Sequence, residues 1–204
     1  MLLLNTAYLA PVSYYAELYK NDDVMLEKCE NYVKQSYRNR CRIATANGVM
    51  DLTIPVESGE GGKIQICDVK ISYSTAWQQQ HWRAIEAAYR SSAFFEYYQD
   101  DFIYFYEKQW TFLWDFNLEI QEKVLKLLDI EKNISFTEIY ENQTAKDILD
   151  FRDRIHPKKS NSFKATPYYQ VFENKFGFIP DLSIIDLIFN MGNETQLFLQ
   201  SEFS

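Results

Sequence analysis

Few residues in this chain are of the kinds that staple or string out a fold: its 204 residues include 3 Cys, 6 Gly and 5 Pro. Cys29, Cys41 and Cys67 are odd in number and show no CxxC or Cys/His spacing. That pattern supports neither zinc nor thiol-redox chemistry, and without a disulfide framework a reducing compartment fits best. Histidine is scarcer still, with only His81 and His156. There is no HExxH pair for a metal and no GxSxG elbow, and no reactive context surrounds Cys41 or Cys67. Long apolar runs are missing as well; the nearest approach, Ser183–Phe189, is interrupted by Asp186. The opening Met-Leu-Leu-Leu-Asn lacks the basic region of a secretory signal. Positive charge is in deficit, 21 Lys+Arg against 29 Asp+Glu for a net −8, which argues against a general nucleic-acid binder. The expectation is a cytoplasmic protein with no membrane span, no nucleic-acid partner, no metal and no cofactor.

What is present is globular. Hydrophobic residues make up 47% and charged residues 25%, enough to bury a sizeable core in one domain over 1–204, sheet-rich to 73 and helix-rich from 74. Leu2–Leu4 reads as a buried strand, Tyr14, Tyr15, Leu18 and Tyr19 recur at helical spacing, and Val24–Glu27 returns as a second strand. That order places the Asn5–Pro11 loop at a strand's carboxyl end, where open α/β sheets keep ligands. Cys41–Ala46 and Val49–Ile54 flank Asn47-Gly48, a pair suited to a type I′ hairpin, with Met50, Leu52 and Ile54 on one face. Ile64–Ile71 alternates like another strand, with Cys67, Val69 and Ile71 on one side. After Ser74 the period becomes helical. Ser74 or Thr75 caps a helix carrying Trp82, Ile85 and Tyr89, and two more helices follow over about 93–106 and 111–128. Residues 131–166 are polar and weakly periodic, with His156–Asn161 an exposed loop; apolar density returns at Leu182–Phe189. The fold class expected is α+β: an N-terminal mixed β-sheet with a hairpin, followed by a helical C-terminal half packed against it.

Several groups carry chemistry. Ser58-Gly59-Glu60-Gly61-Gly62-Lys63 suggests a phosphate loop, but Ile64 stands where the Walker pattern needs Ser or Thr, so it reads as a plain connection. Lys34, Arg38, Arg40 and Arg42 are a basic cluster in an acidic chain. They are either an anion clamp or a charged strand edge that discourages pairing. Trp77 and His81 share a helical face, and His81 is either poised for proton transfer or packed on its aromatic neighbour. Asp186 and Asn190, four apart in an apolar helix, must be hydrogen-bonded or functional. Most of the 34 aromatics (15 Tyr, 15 Phe, 4 Trp) fall on helical stripes and belong to the core.

Five collinear stretches resemble the WbqC-like family of surface-polysaccharide and O-antigen gene clusters. Asn5-Thr6-Ala7-Tyr8-Leu9-Ala10-Pro11 resembles its opening Gln-Pro-x-Tyr-Leu-Pro-Trp segment, and Tyr32–Arg40 its Tyr-x-Lys-x-x-x-x-Asn-Arg stretch. Leu52-Thr53-Ile54-Pro55-Val56 is similar to the strand that follows. Trp77-x-x-x-His81 with Tyr89 resembles its helix, and Leu182–Asn190 its C-terminal signature. Asn5-Thr6 replaces Gln-Pro, and Ala10-Pro11 replaces Pro-Trp. The resemblance implies a transferase role, proposed for the family from gene context and including attachment of glycine to a polysaccharide unit. The expected partner is a small anionic or nucleotide-activated metabolite. Lys34, Arg38 and Arg40 then bind the anionic group and Asn39 orients it. His81 is the general base, Trp77 a stacking wall and Tyr8 a pocket lining, while Asp186 and Asn190 support the site. The alternative is a non-catalytic binding module of the same pathway. Oligomeric state is not written in the sequence.

Overall fold

The computed structural model describes residues 1–57, 62–152, 154–159, 163 and 165–201. The run Leu2-Leu3-Leu4-Asn5 forms β1, and all four residues are buried. A strand apolar on both faces belongs inside a parallel sheet, and that is its place. The helix α1 (Val12–Lys20) crosses over to β2 (Asp23–Glu27), which pairs parallel with β1 from Leu2↔Val24 to Asn5↔Glu27. The hairpin follows as β3 (Arg40–Thr45) and β4 (Gly48–Thr53). Then come α2 (Trp77–Tyr89), α3 (Phe95–Glu107) and α4 (Leu113–Leu127). Two short strands, β5 (Asn133–Phe136) and β6 (Leu149–Asp150), join the first two to give the order β5-β2-β1-β6, every pair parallel. The chain closes with α5 (Glu173–Phe176), α6 (Ile184–Met191) and α7 (Glu194–Ser201).

The fold is α+β, with strands leading and helices following. In place of one mixed sheet, the described residues form a four-stranded parallel sheet and a separate two-stranded hairpin. Residues 131–150, read as irregular, supply both outer strands. An outer strand of two to four residues with one flank in water carries too little apolar alternation to announce itself.

Other local differences have physical causes. Ile64–Ile71 is not a strand. It makes a single 3-10 turn at Ile66–Asp68 and isolated bridges to Asn31, Val56 and Phe112. Ile66 and Val69, three apart, are the fully buried pair, a spacing that favours a turn over a pleat. In the hairpin, Thr45 pairs with Gly48 and the turn is Ala46–Asn47. Only Gly48 takes a positive φ, 104°, so this is a turn closed by glycine and not a type I′ turn. Met50 lies outward, while Leu52 and Ile54 are buried. Neither Ser74 nor Thr75 caps α2, whose boundary residue is Ala76.

The helices bury an aromatic seam in which Phe102, Phe116 and Phe189 are almost wholly enclosed. Each such ring stabilises the fold by roughly 1.5–3 kcal/mol relative to an exposed one. The turn after α6 is drawn in against this seam. At Gly192 (φ 56°) an added Cβ would stand 2.5 Å from the Phe94 ring, so glycine alone fits. The described residues contain no helix long and apolar enough to cross a membrane.

Candidate functional site

The loop from Asn5 to Pro11 leaves the carboxyl end of β1, and its backbone is pinned on two sides. Tyr8 N–H donates to Tyr37 O (2.8 Å), while Ser183 Oγ donates to Leu9 O (2.8 Å) and Ile184 N–H to Ala10 O (2.9 Å). Leu9 between them has a φ of 41°, a strained value for a branched side chain that persists because both flanks are held.

This pinning drives Tyr8 into the core, where its hydroxyl meets Tyr106 Oη at 2.7 Å and His81 Nδ1 at 3.1 Å. Trp77, one turn before His81, presents its ring edge-on at a centroid distance of 5.2 Å. His81 is 5% exposed, and burial lowers its pKa from 6.5 to about 4, against the pull of the Thr53 backbone. Burial also holds the Tyr8 phenol well above its ordinary pKa. The ring is neutral at ordinary pH and meets the Tyr8 hydroxyl through Nδ1, so this arrangement suits it to orienting Tyr8. A general base with a pKa near 4 is weak at neutral pH.

A second group sits at the carboxyl edge of the parallel sheet. Arg38 donates through Nε to Glu30 Oε1 (2.7 Å) and through Nη2 to Glu30 Oε2, and Asn5 Nδ2 reaches the same carboxylate at 2.7 Å. Asn117 Nδ2 holds the Arg38 carbonyl at 2.7 Å, and Asn39 Nδ2 holds that of Ile54 at 2.8 Å. Burial pushes the Glu30 carboxyl up, opposed by Arg38 and Asn5. Beside this pair, Arg152 binds Glu27 Oε2 at 2.9 Å and Asp150 Oδ2 at 2.6 Å, under the ring of Tyr140. The Arg152 pairing lowers the Asp150 carboxyl. Glu27, Glu30 and Arg152 escaped the sequence reading. The signal for the first two was positional: Glu27 ends the second strand of a parallel pair, and Glu30 follows three residues later.

The strand order turns around between β1 and β6, the switch point where open α/β sheets bind ligands. A crevice lies there, lined by Asn5, Thr6, Tyr37, Arg38, Phe151 and Ile155 among others, with room of about 10 Å³. That is roughly the space of one water. Thr6 is wholly buried, yet its hydroxyl has no hydrogen-bond partner among the described residues. The nearby N-terminus of α1, where such folds hold phosphate, is filled by the protein itself: Ser13 N–H donates to Asp181 Oδ1 (2.8 Å) and Ser13 Oγ to Oδ2 (3.0 Å).

The remaining candidates are not gathered here. Arg38 turns inward, but Arg40 (2.8 Å) and Arg42 (3.1 Å) share Asp51 on the hairpin surface and Lys34 is exposed, so the four basic residues form no single clamp. Asp186 accepts from Tyr168 Oη (2.6 Å), Tyr89 Oη (2.9 Å) and Gln170 Nε2 (2.9 Å), and burial raises its carboxyl. Asn190 bonds back to the Asp186 carbonyl at 2.7 Å. Tyr89 lies eight residues beyond His81 on α2, about 12 Å along the axis, so Asp186 serves a different part of the core. Of the glycine-rich stretch, Ser58–Gly61 lie outside the described residues, as do Ser160 and Asn161 of the 156–161 loop. A larger groove of about 720 Å³ runs between α4 and β5. Its mouth carries Glu122, Asp129 and Glu131 against Lys126 and Lys132, a balance that disfavours an anion. Among the described residues no three or more His, Cys, Asp or Glu side chains are grouped to hold a metal ion.

Comparison with known proteins follows the same lines. A protein of Mycobacterium tuberculosis named only as the uncharacterized protein Rv1507c is similar, 27% identical over 207 residues and 88% of each chain. No solved structure matches. The pattern of the WbqC-like protein family matches residues 6–160, which span both the Tyr8–His81 and the Glu30–Arg38 groups. The chain belongs to the WbqC-like protein family.

Proposed function

We propose that this protein acts on a small activated precursor of a surface glycan, transferring an aminoacyl or acyl group to a sugar unit. Its anionic ligand, a sugar phosphate or nucleotide sugar, is held at the carboxyl edge of the parallel sheet between β1 and β6. The observation that carries this reading is the buried Thr6 hydroxyl without a partner, beside Arg38 at the switch point. An orphaned buried hydroxyl costs about 1–3 kcal/mol, which a ligand oxygen can recover.

In this reading Arg38 faces the anionic group, Asn5 and Glu30 fix its guanidinium, and Asn39 sets the backbone behind it. Lys34 and Arg40 draw the ligand in at longer range. Trp77 and His81 are positioning residues acting through Tyr8. Phe151 and Ile155 must part to admit a ligand, because the crevice as it stands holds no more than a water. Asp186 and Asn190 brace α6, whose first turn anchors the loop at Leu9 and Ala10.

The test is Thr6→Val, which removes only the hydroxyl. Without ligand the variant should be as stable as wild type or more so, since nothing is bonded to that oxygen. Titration with UDP-glucose, dTDP-glucose, glucose 1-phosphate and UMP should give at least one ligand for the wild type, with affinity about 10–100-fold weaker in Thr6→Val. Equal affinity in both proteins removes Thr6 from the site.

One observation favours the non-catalytic alternative: the neutral, enclosed His81 leaves the crevice without an evident base. That reading predicts binding by the wild type with no turnover of any activated donor, and binding unchanged by His81→Gln.

A further inference from the structure

We propose that Cys29 and Cys67 form a redox-modifiable pair, able to close a disulfide in the folded protein. The argument is one of register. Asn31 and Gln65 make an antiparallel bridge, flanked by hydrogen bonds from Tyr32 N–H to Ile64 O (2.8 Å) and from Ile66 N–H to Glu30 O (2.9 Å). That pattern marks Asn31 and Gln65 as a pair whose own amides do not bond each other. Carried two residues further, this register sets Cys29 toward Cys67 in the closer kind of position, about 4.5 Å between Cα atoms in a regular ladder; the bridge itself is isolated, so the sulfur contacts carry the placement. A disulfide spans Cα separations of about 4.4–6.8 Å.

Burial supports the same placement. Glu30 and Ile66 point inward and are buried, Asn31 and Gln65 point outward and are exposed, and both cysteines are half-buried on that outward side. The chain bends into its 3-10 turn at Ile66, yet contact survives the bend: Cys67 Sγ lies 3.4 Å from the Lys28 carbonyl oxygen. The planar peptide fixes that oxygen about 2.8 Å from the Cys29 Cα, so the Cys67 sulfur is within about 6 Å of it. Cys41, wholly enclosed, takes no part.

With oxidised glutathione as oxidant, one cysteine thiolate attacks its disulfide, forming a mixed disulfide and releasing one glutathione thiolate. The second cysteine thiolate then attacks the protein sulfur of that mixed disulfide and releases the other. Two electrons pass to glutathione, and the two thiol protons end on the two released thiols. The new bond draws Cys29 Sγ away from the Thr137 carbonyl, 3.5 Å distant, and so loosens a tie between the ends of β2 and β5. Thr137 also bonds Glu27 at 2.6 Å, which couples the redox state of the pair to the carboxyl edge of the sheet.

The experiment is treatment of the native, reduced protein with oxidised glutathione at pH 8, followed by alkylation and intact and peptide mass measurement without reductant. The expected product is two hydrogens lighter, with a Cys29–Cys67 cross-linked peptide and Cys41 alkylated only after unfolding. Cys29→Ser and Cys67→Ser should each lose the cross-link and keep one glutathione on the surviving partner. Stable glutathione on both cysteines without a cross-link, a cross-link through Cys41, or no modification of native protein would each overturn the proposal.

Discussion

Replacing Arg38 with Ala should lower stability by about 3–5 kcal/mol, a fall in midpoint of roughly 10 °C for a chain of this size. The cause is what remains: Glu30, 5% exposed, keeps among the described residues only the Asn5 amide to face its charge. The pair is bound through two hydrogen bonds, and both partners are almost wholly removed from water. A guanidinium–carboxylate pair so placed contributes little net stability over an apolar pair of the same shape, but removing one partner leaves a charge in the core. The double variant Arg38→Met/Glu30→Leu should therefore recover most of the loss. Chemical denaturation of Arg38→Met, Glu30→Leu and the double variant closes the cycle, with a coupling of more than about 2 kcal/mol expected. If the single variants simply add, the pair is not the unit described. A binding experiment on Arg38→Ala is confounded by this instability, which is why Thr6→Val is the cleaner probe of the site.

The second large effect is on pH. His81 titrates near 4 in the folded protein and near 6.5 when unfolded, because burial disfavours its charged form. Between these values the unfolded chain binds a proton that the folded chain refuses, so stability falls as pH drops through that window. The contribution is fully present above about pH 6.5, and its loss by pH 4 amounts to about 3 kcal/mol at about 1.4 kcal/mol per unit. His81→Gln retains a polar group for Tyr8 but has no proton to gain. The difference between wild-type and variant stability, measured from pH 7 to 4, should slope by that amount. Parallel curves would mean that folding leaves the His81 pKa unshifted, and the ring would then not be the enclosed, neutral partner of the Tyr8 hydroxyl.

The elements legible in the sequence were those whose signal is local. Leu2–Leu4, the strand at Val24–Glu27, the hairpin around Gly48 and the three central helices each carry their own period. The strands at 133–136 and 149–150 do not, because what makes them strands is the edge of a sheet laid down more than a hundred residues earlier. The site divides in the same way. Tyr8, Trp77, His81, Arg38 and Asn39 could be singled out from residue type and family pattern, but their partners could not. Glu30 is bonded to Asn5 across 25 residues and Glu27 to Arg152 across 125, and neither spacing is periodic. The basic cluster misled for a related reason. Arg40 and Arg42 share the outward face of β3, where Asp51 holds them both, whereas Arg38 precedes that strand and its side chain turns inward to Glu30.

Amide hydrogen exchange of the wild-type protein, alone and with saturating UDP-glucose or glucose 1-phosphate, tests the placement of the ligand most directly. The proposed site predicts slowed exchange at Asn5, Thr6, Tyr37, Arg38, Phe151 and Ile155, which line the crevice between β1 and β6, with the groove between α4 and β5 unchanged. Protection confined to that groove, or to the hairpin around Arg40 and Arg42, would contradict it.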